Sequence, residues 1–104
     1  MGFVFLFLSI ILEIAGTTFL KLSNGFTVLI PSFLTIISYV LCFYIFSHAL
    51  KTIEISVAYA IWSAFGIMFI SLIGMIFFHE SINTVKVLSI LLIIIGTIGL
   101  KLSV

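Results

Sequence analysis

Phe3-Val4-Phe5-Leu6-Phe7-Leu8-Ser9-Ile10-Ile11-Leu12-Glu13-Ile14-Ala15-Gly16-Thr17-Thr18-Phe19-Leu20 is the stretch whose reading decides the fold. Its length matches the roughly 30 Å hydrocarbon core of a bilayer. One carboxylate, Glu13, stands near its middle, with no cationic residue within a helical turn. Read as a membrane span, the stretch puts Glu13 near the bilayer midplane. An ionised side chain is costly there, and such residues mark proton, ion or ligand pathways. The plainer alternative is a protonated Glu13 that ties two helices together by a hydrogen bond.

Composition supports the membrane reading. The chain has 104 residues, 64% hydrophobic and only 7% charged, whereas a soluble domain carries about 25% charged residues. So few charges could not cover a water-exposed surface. A net charge of +1 offers no basic patch, so no nucleic-acid partner is expected. The single cysteine, Cys42, lies inside an apolar run and cannot form a disulfide within the chain. The N-terminus lacks a basic region and a small-residue cleavage site, so the first apolar run is read as a retained span and not a signal peptide.

Three further apolar runs follow. Lys21 and the turn residues Ser23-Asn24-Gly25 close the first span, Asn and Gly both tolerating positive φ. The second span covers about 28–50, with Pro31 in the first turn, where a missing amide costs little. Lys51-Thr52-Ile53-Glu54 is a tight connection to the third span, about 55–78. His79-Glu80-Ser81-Ile82-Asn83 is a polar loop before the last span, about 85–102. The runs lack alternation and are about twice the length of a barrel strand. The expectation is an all-α membrane protein, a single domain over 1–104 with four transmembrane helices, the first over 3–20.

Lysine placement bears on orientation. Lys21 and Lys86 fall on one side of the membrane, Lys51 and Lys101 on the other. Such balance gives almost no positive-inside bias. Either other features set one orientation, or the chain inserts both ways and pairs as an antiparallel, dual-topology dimer. Size favours association. Four helices leave little room for a cavity with alternating access, and the chain shows no internal inverted repeat of the kind that larger transporters use.

The polar residues gather in stripes. Ser9, Glu13, Gly16, Thr17 and Leu20 share one face of the first span, and Ser56, Tyr59, Trp62, Ser63 and Gly66 one face of the third. Tyr39 lies within the second span. An interfacial aromatic belt is the alternative for the second stripe, but Trp62 falls well inside its span, where an indole N–H needs a partner. A carboxylate with aromatic faces suits an apolar or delocalised cation, each cation–π contact being worth roughly 0.5–2 kcal/mol. An anion would be repelled and would find no arginine in the chain. A carboxyl able to hold either a proton or a cation can exchange one for the other, which is antiport. No nucleophile–base pair or metal-ligand spacing is present, so neither enzyme activity, a metal nor a cofactor other than the coupling proton is expected. His48 and His79 are read as interfacial residues.

Glu13-Ile14-Ala15-Gly16-Thr17, Lys21-Leu22-Ser23-Asn24-Gly25-Phe26, Pro31-Ser32 and Ala58-Tyr59-Ala60-Ile61-Trp62-Ser63 together resemble the small multidrug resistance family of bacterial transporters, across essentially the whole chain. The resemblance implies an antiparallel dimer in the bacterial inner (plasma) membrane that exports cations against protons. It makes Glu13 the shared proton and substrate carboxylate. Tyr59, Trp62 and Tyr39 become aromatic lining, with Ser63, Gly16 and Thr17 as close neighbours. Ser89, Leu92, Ile93 and Gly96 in the fourth span are similar to the family's dimerisation helix. Gly16-Thr17 resembles the multidrug, quaternary ammonium branch, since the guanidinium-exporting branch typically has Trp-Ala there. Lys51 to Trp62 and Gly99-Leu100-Lys101-Leu102 also look like one subunit of the paired spermidine exporters, which are heterodimers with a paralogous subunit. A non-transporting regulatory membrane subunit and a passive channel remain as rival classes.

Overall fold

A computed structural model of the chain describes residues 1–103. Four helices account for most of them: α1 (Gly2–Leu22), α2 (Leu29–Ala49), α3 (Ile55–Phe77) and α4 (Thr84–Leu102). At 1.5 Å per residue each is about 28–35 Å long, enough to cross a bilayer. All four are apolar enough to do so. Their ends fall within two residues of the expected spans. The chain divides into two compact units, Met1–Ile53 and the part from Glu54 onward.

The first unit is a helical hairpin. Ser23 ends α1, its hydroxyl donating to the Leu20 carbonyl (2.7 Å) and accepting from the Phe26 amide (3.1 Å). Asn24, Gly25 and Phe26 then take left-handed backbone at φ of 48°, 70° and 65°. Asn and Gly were expected there. Phe26 was not, because a Cβ disfavours that region and an aromatic side chain carries no turn signal. Pro31 is the third residue of α2, where its missing N–H breaks no helical bond. Small residues build the seam: Gly2, Ser9 and Gly16 on α1, and Thr35, Ser38, Cys42 and Ala49 on α2, are all buried. A side chain at Gly2 would run into Thr52 and Ile53. The Cys42 thiol donates to the Ser9 carbonyl at 3.1 Å. With lipid outside, helices associate by close packing of this kind and not by hydrophobic expulsion.

The second unit pairs α3 with α4. The corner between them is tightly specified. His79 has left-handed backbone (φ 55°), and the Glu80 amide donates back to the Gly74 carbonyl at 3.0 Å. The Glu80 side chain lies directly against Gly74, so a Cβ there would meet the carboxylate. Lys86 pairs with Glu80 at 3.7 Å, and Asn83 caps α4 by accepting from the Lys86 amide at 2.8 Å. Further along, the Thr97 hydroxyl is shared between the Ile93 carbonyl (2.8 Å) and the Ala60 carbonyl of α3 (3.4 Å). Lys86, Ile90, Ile94 and Thr97 are the partly covered residues of α4. Ser89, Leu92, Ile93 and Gly96 all lie exposed.

Candidate functional site

Glu13 sits on α1 in the same stripe as the buried Gly2, Leu6, Ser9 and Gly16. The spacing of 2, 6, 9, 13 and 16 keeps all five on one face of a helix. Small neighbours let α2 approach closely, and the approach has a polar consequence. Thr17 Oγ1 donates to Glu13 Oε1 at 2.8 Å, and the same hydroxyl lies 2.6 Å from Tyr39 Oη in a second hydrogen bond. The Tyr39 ring rests against Gly16, where an added Cβ would fall 2.9 Å from Cε1 and 3.3 Å from Ser38 Cβ. Phe43, one turn on, stacks with Tyr39 at 6.4 Å and 30°. Glu13 Oε2 is buried and has no hydrogen-bond partner among the described residues.

Four of the expected residues, Glu13, Gly16, Thr17 and Tyr39, are therefore brought together in the first unit. In the second, Tyr59 and Trp62 are adjacent on α3, with ring centroids 5.7 Å apart and tilted by 41°. Tyr59 is 58% exposed, whereas Trp62 and Ser63 are half-buried. The bond between Thr17 and Tyr39 had no sequence signal beyond two hydroxyls on neighbouring helices. The same holds for a group at the other end of the first hairpin, where His48 contacts Phe5 (5.7 Å) and meets the Tyr44 ring edge-on (4.9 Å).

A sequence model of the family described as Small Multidrug Resistance protein matches residues 1–93. The chain belongs to the Small Multidrug Resistance family. Its relatives include the membrane protein YvaE of Bacillus subtilis (strain 168), 49% identical over 98% of this chain and 86% of YvaE. The quaternary ammonium compound-resistance protein QacG of Staphylococcus sp. (strain ST94) is 41% identical over 97% of this chain and 94% of its own. A guanidinium exporter of Proteus vulgaris is 39% identical over 99% of both chains. As a Small Multidrug Resistance protein the chain is a multi-pass transporter of the bacterial inner (plasma) membrane, and not an enzyme. The family's span count agrees with the four helices described above.

Proposed function

We propose that the chain is a proton-coupled antiporter exporting hydrophobic or quaternary ammonium cations, with proton and substrate competing for Glu13. The observation that carries this reading is the inequality of the two Glu13 oxygens. Thr17 holds Oε1, while Oε2 is buried with no partner among the described residues. A buried charged acceptor without a donor is unfavourable; a cation relieves it directly, and a proton on the carboxyl relieves it by removing the charge. One carboxylate neutralises one positive charge, so each occupant displaces the other. Tyr39, Tyr59 and Trp62 supply aromatic faces for a large cation, with Ser63 beside them.

Gly16 favours the quaternary ammonium branch over guanidinium export. The Tyr39 ring already occupies the space that a tryptophan at this position would need. Balanced lysines and the uncovered α4 face bearing Ser89, Leu92, Ile93 and Gly96 fit an antiparallel homodimer in the bilayer.

The test uses the purified full chain in vesicles with an acidic interior, comparing tetraphenylphosphonium, guanidinium and spermidine. Uptake of tetraphenylphosphonium above that of empty vesicles, collapsing when the pH gradient is dissipated, is the expected result. Flux that ignores the gradient overturns the antiporter in favour of a channel. A preference for guanidinium or spermidine reassigns the substrate. Failure with all three points to a missing paralogous subunit or to a non-transporting role.

A further inference from the structure

A hydroxyl group has one proton to give. Thr17 spends its proton on Glu13 Oε1, so at its 2.6 Å contact with Tyr39 it must accept. The three groups therefore form a chain with a single sense, from the Tyr39 O–H to the Thr17 O–H to the Glu13 carboxylate. Tyr39 is held in this chain by its packing on Gly16 and its stack with Phe43. Hydrogen bonds in series polarise one another, and a low dielectric strengthens the effect.

We infer that Thr17 is a positioning residue that carries the protonation state of Glu13 to the Tyr39 hydroxyl. The inference rests on Glu13 being the shared proton and cation site. An arriving proton has two oxygens available. On Oε2 it would form an O–H with no acceptor among the described residues; on Oε1 it meets Thr17. Glu13 then donates to Thr17, Thr17 turns and donates to Tyr39, and the Tyr39 proton swings outward. One proton has been added, at Oε1. Thr17 and Tyr39 each keep their own, and only the sense of the bonds has reversed.

The reversal matters for the substrate. With Glu13 ionised, Tyr39 turns its lone pairs outward, where a cation is attracted. With Glu13 protonated, Tyr39 turns its O–H outward and presents the positive end of that dipole. The cation takes Oε2, the oxygen to which no described residue donates. Proton and cation thus meet one carboxylate at different oxygens, and Tyr39 amplifies their exclusion.

The other ionisable groups of the two helices are Lys21, Cys42, Tyr44 and His48. Lys21 is exposed one turn beyond Thr17. The Cys42 thiol, close to Tyr39 in sequence, donates to the Ser9 carbonyl. Tyr44 and His48 contact each other further along α2, and Lys51 follows in the connection.

The test is carbon-13 NMR of the full chain in lipid nanodiscs, labelled at tyrosine Cζ and glutamate Cδ, with Tyr39→Phe assigning the Tyr39 signal. The Tyr39 shift is expected to move with pH at the same midpoint as the Glu13 carboxyl. Thr17→Val keeps the shape and removes the hydroxyl, so Glu13 should still titrate while the Tyr39 response disappears; Thr17→Ser should restore it. A wild-type Tyr39 signal that stays flat while Glu13 titrates, or one that still follows Glu13 in Thr17→Val, overturns the relay and leaves the shared site standing. Should Thr17→Val fail to fold, the wild-type comparison decides alone. A Glu13 carboxyl that does not titrate, with cation binding indifferent to pH, overturns both.

Discussion

The proposed cation site assigns separable contributions to Trp62 and Glu13, and each is testable as a residue. Truncation in Trp62→Ala removes an aromatic face, worth roughly 0.5–2 kcal/mol toward a cation. Binding of an aromatic quaternary ammonium ion should weaken by about 2- to 30-fold. A compact cation of the same charge should lose less, and equal losses by calorimetry would argue against stacking. In the proposed exchange Glu13 sets the pH response. Protons occupy the carboxylate as pH falls, so cation affinity should drop below the midpoint of the site, by about tenfold per pH unit for one-for-one competition. Binding should also release protons into a weakly buffered solution. Affinity that is flat with pH would remove Glu13 from the exchange. The carboxylate was legible in the sequence because a charge in an apolar run is costly wherever the helix faces. Its bonding to Thr17 and Tyr39 was not. That depends on the register at which α2 meets α1: Thr35, Ser38, Tyr39 and Cys42 share one face of α2, but their spacing does not say which of them falls opposite Thr17.

Among the elements, α4 is the least supported by its surroundings, with no fully buried residue. Its start therefore leans on local devices. Asn83 accepts from the Lys86 amide, and Lys86 reaches back to Glu80 and to the Ser81 carbonyl at 3.2 Å. Removing the cap in Asn83→Ala should cost about 1 kcal/mol. In amide hydrogen exchange the Lys86 N–H should then lose protection by about fivefold, while Asn83→Ser keeps most of it. Unchanged exchange at Lys86 would mean that the bilayer or a partner holds this end, and not the cap. The four elements themselves were legible because hydropathy over a bilayer-length window overrides local propensity. The corners were legible only where Asn24-Gly25 or Asn83 stood at a turn or cap. Gly74 gave no hint that Glu80 would fold onto it, since a glycine inside an apolar run reads equally well as a packing site for another helix.

At the scale of the whole molecule, the two-against-two lysine count and the exposed α4 face bearing Ser89, Leu92, Ile93 and Gly96 both fit the proposed pairing with a second copy inserted the other way round. Exposed Leu92 and its neighbours satisfy lipid as well as protein, so packing alone does not compel the dimer, but the charge count can be changed without touching the interface. Leu22→Lys with Ser81→Lys adds charge on the side of Lys21 and Lys86. Leu102→Lys with Ser103→Lys adds it on the side of Lys51 and Lys101. All four positions are exposed. Each double variant should insert in one orientation, opposite to the other, as read by labelling of loop cysteines. Cation export from cells should fall to background for either variant alone and return when the two are made together. Full export by one variant alone would exclude an obligatory antiparallel pair. Failure of the unaltered chain alone, with activity only beside a paralogue, would place the opposite-facing subunit on a second gene. Because the substitutions avoid Glu13, Thr17, Tyr39 and Trp62, recovery on co-expression can come only from restoring both orientations.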